Sequence, residues 1–160
     1  MSLDAVEAPD LIEPLIGYRY WRLQDDALWS PFVAFRWERG MNTARCAVDP
    51  GHLDPPPAHD CACGIHAWYR PCPRLGYATP DLIGGAVALW GAIELHPTGM
   101  RAQHAAVVAL ALPLAHTAKR RRVLGIAASL EVETAPARQL MHVAAQHGCA
   151  VTPALVPVAS

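Results

Sequence analysis

Two nearly uninterrupted apolar runs, separated by four residues typical of a turn, constrain this chain more than any other feature. The runs cover residues 86–95 and 100–112, and His-Pro-Thr-Gly lies between them at 96–99. Proline and glycine there favour a tight reversal, so the pattern predicts a β-hairpin. Because almost every side chain is apolar, we expect central strands covered on both faces, with Trp90 buried. Gly91 predicts a β-bulge.

Shorter segments also predict strands. Residues 15–23 (LIGYRYWRL) precede the turn residues Gln24-Asp25-Asp26, and their period of two places Tyr18 and Tyr20 on one face and Arg19 and Trp21 on the other. Further strands are predicted at 32–38, at 43–48 after the turn at Arg39-Gly40, and at 123–132. Residues 65–70 fit a strand or a short helix, and six residues leave that choice open.

The C-terminal quarter carries the one helical pattern. Thr134 is a suitable N-cap with Pro136 in the first turn, and apolar residues recur at helical spacing up to Gly148. A short strand follows at 149–152, and a tail with two prolines at 153–160. Residues 49–60 hold four prolines and predict an irregular loop. We therefore expect a β-rich α+β fold, either a small barrel or a curved antiparallel sheet, with one C-terminal helix.

Composition bounds the class of protein. A chain of 160 residues with 52% hydrophobic and 17% charged residues fits one folded domain spanning 1–160, and shows no internal repeat. The net charge of -1 provides no overall field that attracts nucleic acid or an anionic membrane. The N-terminus carries Asp4, Glu7 and Asp10 rather than a signal pattern, and the apolar runs are too short to span a bilayer. A cytoplasmic location is expected.

Metal-capable side chains are densest around the proline-rich loop. The cluster comprises His52, His59, Cys61, Cys63 and His66, with Cys46 before the loop and Cys72 beyond it. Strands that flank the loop bring Cys46 back to Cys61 and Cys63, and His59 or Cys72 completes a tetrahedral structural zinc site. The alternative is that Cys46, Cys63 and Cys149 are small buried hydrophobic residues and the loop histidines face solvent. The spacing of Cys61, Cys63 and His66 excludes a C-x-x-C-H haem site.

Three classes of function remain open. No recognisable catalytic signature is present, so the leading hypothesis is a non-catalytic binding or adaptor module with a protein partner. A small Cys/His-dependent enzyme would need Cys61 or Cys63 as a thiolate beside a histidine. The run Lys119-Arg120-Arg121-Arg122 offers a nucleic-acid contact, although such runs are more commonly solvated.

The five tryptophans are the remaining candidates for a binding surface. Each offers a large apolar face with one hydrogen-bond donor, which suits a ligand pocket, an interface or a core. Most of them are expected in the core or at its edge, and Trp29, beside Ser30-Pro31 in a predicted turn, is the one expected to be partly exposed. The full set is Trp21, Trp29, Trp37, Trp68 and Trp90.

Four features together resemble a group of small uncharacterised actinobacterial proteins with a C-x-C-G-I-x-A motif. They are GYRYW at 17–21, Cys46, CACGIHA at 61–67 and VALWG at 87–91. In that group tyrosine more often occupies the position of His66, so the resemblance implies Cys46, Cys61 and Cys63 as ligands rather than His66. It implies no activity.

Overall fold

The fold is strand-rich and is seen in a computed structural model that describes residues 13–46, 48, 51, 55–58, 61–71, 79–115 and 117–152. Within these residues the elements follow in the order β1 (Leu15–Gln24), β2 (Ala27–Trp29), β3 (Asn42–Thr43), β4 (Ile65–Trp68), β5 (Leu82–Leu95), β6 (Gly99–Ala111), α1 (Ala118–Leu130), β7 (Glu133–Ala135), a 3-10 turn (Ala137–Gln139), α2 (Leu140–Ala144) and β8 (Cys149–Ala150).

The predicted hairpin is confirmed as β5 and β6. The two strands pair antiparallel from Gly85 opposite Leu110 to Leu95 opposite Met100. Their register shifts between Trp90 and Ile93, and Gly91 lies there with a φ of 79°, which confirms the predicted bulge. Trp90 itself is only half-buried, so the expectation that it is a fully buried core residue is wrong.

The remaining pairings curve the sheet into a ring-like arrangement rather than a barrel. Strand β1 runs antiparallel to β5 along most of its length, and β4 runs antiparallel to β6. The pair Tyr18 and Trp68 then joins β1 to β4. Strand β3 pairs with β6, whereas β7 and β8 add short parallel pairings to β6 and β1. Of the two predicted architectures, the curved sheet is therefore the one observed.

Both faces of the central hairpin are covered, as its apolarity predicts. Val87 and Leu89 belong to the large core, which also contains Val123 and Ile126 of α1. Alanines at the alternate positions of β5 belong to a smaller core that contains Leu140 of α2. Each fully buried aliphatic side chain contributes about 1.5–3 kcal/mol. The two helices therefore cover opposite faces of the hairpin.

Helix α1 replaces the strand that the sequence predicted at 123–132. Thr117 caps the helix by accepting a hydrogen bond from the backbone N–H of Arg120 at 3.3 Å. Its buried residues are Val123, Ile126, Ala127 and Leu130, which follow helical spacing. The β-branched Val123 and Ile126 favour strands locally, but packing of this stripe on the large core outweighs that preference.

The predicted C-terminal helix is also shorter than expected. Thr134 lies in β7 and does not cap a helix. The predicted helix shrinks to the 3-10 turn followed by α2, which has five residues. Pairing of β7 with β6 supplies the backbone hydrogen bonds that a longer helix would otherwise form. The short strand predicted at 149–152 is present as β8.

Other strand boundaries differ as well. The turn after β1 is confirmed, because Asp25 and Asp26 both have positive φ and β2 pairs back onto β1. Residues 32–38 form only an isolated bridge, between Trp29 and Arg36, and the strand predicted at 43–48 is reduced to β3. The open choice at 65–70 is settled by β4. Most of loop 49–60 and the tail 153–160 lie outside the described residues. None of the helices that the structure describes has the length and apolar character of a membrane span.

Two glycine-to-alanine substitutions should change the free energy of unfolding in opposite directions. A Cβ at Gly17 of β1 would lie 2.6 Å from the Cβ of Ala67, so overpacking in Gly17→Ala should lower the free energy of unfolding by about 1–3 kcal/mol. A Cβ at Gly125 of α1 meets nothing within 4 Å. Because alanine favours a helix more than glycine does, Gly125→Ala should raise the free energy of unfolding by about 0.5–1 kcal/mol. Urea titrations of both variants measure this. A loss at Gly125 would contradict the helical assignment of α1.

Candidate metal centre

Three cysteines meet at one point of the fold. The sulfur atoms of Cys46, Cys61 and Cys63 all lie within 4.8 Å of one another, and Cys46 Sγ is 3.5 Å from Cys61 Sγ. A tetrahedral zinc site with Zn–S bonds of about 2.3 Å separates its sulfurs by about 3.8 Å. Shifts of about 1 Å or less therefore bring all three sulfurs onto one ion. The predicted return of Cys46 to Cys61 and Cys63 is confirmed.

Pairing with β6 brings the two ends of the proline-rich excursion together. Strand β3 pairs with Ala105 and His104, and the backbone N–H of Ala44 continues this contact to the carbonyl of Gln103 at 2.8 Å. Strand β4 pairs with the neighbouring residues 99–102. Cys46 follows β3, and Cys61 and Cys63 precede β4. One strand therefore positions all three cysteines.

The backbone conformation at Gly64 explains why a glycine follows the second cysteine of the C-x-C pair. Its φ is +121°, a conformation that side chains rarely adopt. A Cβ here would also lie 3.1 Å from the Cβ of Pro57 and 3.2 Å from the Cβ of Arg101. Glycine thus lets the chain turn from the cysteines into β4 while Pro57 packs against the turn. We refer to residues 61–64 as the cysteine turn.

The buried guanidinium of Arg101 anchors the cysteine turn. Arg101 lies on β6 and is 6% exposed. Its Nη1 donates to the backbone carbonyls of Cys61 and Cys63, the latter at 2.9 Å. Its Nη2 donates to Glu94 Oε2 at 2.8 Å, and Glu94 Oε1 lies 2.9 Å from His96 Nε2. The cation therefore has a counterion and fixes the backbone that presents the sulfurs.

The electrostatics of the sulfurs suit a cation. A hydrogen bond with Cys46 raises the pKa of the Cys61 thiol, and a hydrogen bond to the backbone of Cys63 opposes that shift. The backbone N–H of Ala58 donates to Cys63 Sγ at 3.4 Å. An amide directed at a sulfur stabilises a metal-bound thiolate. Without a cation the close sulfurs favour protons, and a bound cation would replace those protons.

Of the other predicted ligands, the structure describes only His66, and it does not belong to this cluster. His59, His52 and Cys72 lie outside the described residues. His66 is exposed, and its Nε2 lies 2.9 Å from the carbonyl of Ala62. Among the described residues, the metal-capable group comprises the three cysteines alone.

The alternative prediction, that Cys46, Cys63 and Cys149 are buried, holds for two of the three residues. Cys46 and Cys63 are buried, but Cys149 is exposed. Its thiol donates to a carboxylate oxygen of Glu13 at 2.8 Å, and this hydrogen bond raises the pKa of Cys149. The idea of Cys149 as a small core residue is therefore wrong.

The basic run lies at the start of α1 and is partly engaged by the fold. Lys119 Nζ donates to the carbonyl of Thr79 at 2.9 Å, and Arg120 Nη1 donates to the carbonyl of Pro113 at 2.7 Å. Burial lowers the pKa of Lys119, and the charge of Asp81 opposes this. These two cations brace α1 against neighbouring loops.

An open groove of about 1060 Å³ borders the cysteines. Its walls include Cys46, Cys61 and Cys63 together with exposed aromatic and aliphatic side chains. Phe32 is 86% exposed and Trp68 is 37% exposed, and Trp29 is partly exposed, as the sequence predicted. Trp37 and Trp68, two of the tryptophans offered as pocket candidates, line this groove, whereas sequence reasoning did not single out Tyr20 of β1 or Phe32 after β2.

Comparison with known proteins adds no identity. No family model matches the chain, and no significant match appears among the curated proteins or the solved structures. The geometry of the cysteine cluster and the groove is thus the basis for assigning a function.

Without a bound metal the protein should be sensitive to alkali through Cys61. The folded-state pKa of this thiol is raised above its ordinary 9.0, so its contribution to stability is present below pH 9.0 and is lost as pH rises through the raised value. From pH 7 to a pH above the raised pKa of Cys61, the urea midpoint of chelator-treated protein should therefore fall more than the urea midpoint of chelator-treated Cys61→Ser. Both proteins carry Cys149→Ser, because Cys149 titrates in the same range. Equal decreases in the two proteins would contradict the assignment.

Proposed function

We propose that this protein is a non-catalytic binding module in which a structural zinc ion stabilises one wall of the groove. Cys46, Cys61 and Cys63 bind the ion, and His59 supplies the fourth ligand. The observation that carries the proposal is the convergence of three sulfurs within 4.8 Å at the groove wall. Zinc in structural sites takes four Cys or His ligands in a tetrahedron.

The position of the cysteines argues for a structural ion. They lie at both ends of residues 47–60, a loop with four prolines whose closure costs conformational entropy. An ion that binds both ends offsets this cost, since zinc binding in small domains amounts to about 10–16 kcal/mol near pH 7. Arg101 already directs the cysteine turn toward Cys46, so little rearrangement accompanies binding.

The groove argues for binding. Its rim exposes Phe32, Val48 and Trp68, with exposed fractions of 86%, 88% and 37%. Large apolar side chains that line one concave surface mark ligand or partner sites. A Cys/His enzyme would instead need a histidine aimed at a thiolate, and the ring of His66 contacts the carbonyl of Ala62.

Purified protein should contain about one zinc ion per chain. Cys63→Ser should lose most of the metal because it removes a sulfur ligand, whereas Cys149→Ser should retain it, since Cys149 contacts Glu13 elsewhere. Elemental analysis and native thiol titration measure both. Metal-free protein with one fast-reacting thiol would instead favour the Cys/His-dependent enzyme.

A double-mutant cycle tests whether the cysteines act as one unit. Cys46→Ser and Cys61→Ser should each destabilise the zinc-loaded protein, and the double variant should lose little more. The first substitution already dismantles the shared site, so the coupling energy should exceed about 1 kcal/mol. Denaturant unfolding of the four proteins at one zinc concentration gives the value. Additive losses would show separate buried thiols and would remove zinc from the proposal.

A further inference from the structure

A second arginine, Arg19 of β1, lines the groove beside the cysteines. Its guanidinium carbon lies 4.6 Å from the ring centroid of Trp37 and 5.6 Å from that of Trp21. Its Nη1 donates to the carbonyl of His66 at 3.1 Å, and its Nη2 donates to Ser30 Oγ at 3.3 Å. The Nε atom has no exposed surface and no hydrogen-bond partner among the described residues. The guanidinium is thus fixed in orientation, and these two bonds leave the second N–H of each Nη unused.

Unlike Arg101, Arg19 forms no ion pair with any carboxylate of the described residues. Desolvation lowers its pKa to about 10, with Tyr20 opposing the shift. The described groove lining also contains Arg45 and no aspartate or glutamate. Arg19 is partly buried, and a partly buried cation without a carboxylate partner attracts an anion more strongly than a fully solvated arginine does. The site therefore favours a negatively charged ligand group.

The surfaces next to Arg19 are flat and apolar. The rings of Tyr20 and Trp68 stack with centroids 5.6 Å apart and planes 14° from parallel. Phe32 meets Tyr20 edge-on at 6.4 Å. The groove volume of about 1060 Å³ is enough for a small organic molecule. A ligand here has one anionic end and an aromatic body.

We infer that the groove binds a small aromatic carboxylate, with its carboxylate on Arg19 and its ring system against Tyr20, Phe32 and Trp68. A planar guanidinium matches the two oxygens of a carboxylate, and Arg19 is the guanidinium that lies beside the aromatic rings. This inference rests on the proposed function, because it takes the groove as the ligand site. It adds the chemical class of the ligand.

The test compares two probes of the same shape on the zinc-loaded full chain, namely naphthalene-2-acetate and the neutral 2-(2-naphthyl)ethanol. Calorimetry should show the carboxylate binding about 10-fold tighter or more, since a charge-assisted hydrogen-bonded pair exceeds 1.4 kcal/mol. Arg19→Met should reduce carboxylate affinity to that of the alcohol. Arg22→Met, an exposed position on the same strand, is the matched control and should change neither affinity.

A further variant covers the case in which Arg19→Met does not fold. Phe32 is 86% exposed, so Phe32→Ser preserves the fold and should weaken both probes by a similar factor, about 5-fold or more. Zinc content is measured in every sample. Carboxylate preference in a protein without zinc overturns the zinc proposal and supports the ligand class. Equal affinity for the two probes in zinc-loaded protein overturns the ligand class alone, and no binding of either probe overturns the groove as a ligand site.

Discussion

The buried cation of Arg101 is the interaction on which the rest of the site depends. A guanidinium that is 6% exposed is tolerated where its charge meets acceptors, and here Nη1 and Nη2 meet Glu94 and two backbone carbonyls, whereas Nε has no partner among the described residues. Those carbonyls belong to Cys61 and Cys63, so satisfying the charge also fixes the direction of the cysteine turn. Because Arg101 and Glu94 lie on β6 and β5, the hairpin positions the sulfurs. The metal-capable cluster is thus an extension of the sheet rather than an independent loop.

The two arginines Arg19 and Arg101 have opposite roles because their surroundings differ in one respect. Arg101 has a carboxylate partner and contributes to the fold, whereas Arg19 has aromatic rings, a hydroxyl and a carbonyl around it. Aromatic faces attract a cation but leave its net charge uncompensated. One arginine therefore completes its electrostatic environment within the chain, and the other leaves it to be completed by an outside anion. Both line the same groove, which places structural and ligand-directed charge side by side.

Local chemistry was enough to predict the hairpin and the convergence of the cysteines. The β5–β6 pair follows from continuous apolarity around a Pro-Gly turn, and the meeting of Cys46 with Cys61 follows from strands that flank a proline-rich loop. Other features depend on distant contacts. Helix α1 contains the β-branched Val123 and Ile126, and their packing on the large core favours the helix together with the Thr117 cap. The role of Arg19 depends on Trp37 and Ser30, which no spacing pattern places beside it.

The pairing of β1 with β5 has a consequence for how the chain is made. Strand β1 carries Ile16 and Trp21, both nearly inaccessible in the finished fold, yet its long partner begins only at Leu82. On the ribosome β1 therefore emerges well before the strand that covers it, and its earlier partners among the described strands are the three-residue β2 and the single Tyr18–Trp68 pairing with β4. Until β5 arrives, an apolar strand with open hydrogen-bonding edges is available to other nascent chains. Synthesis of this protein is thus expected to be most vulnerable to aggregation when translation pauses between the cysteine turn and the hairpin.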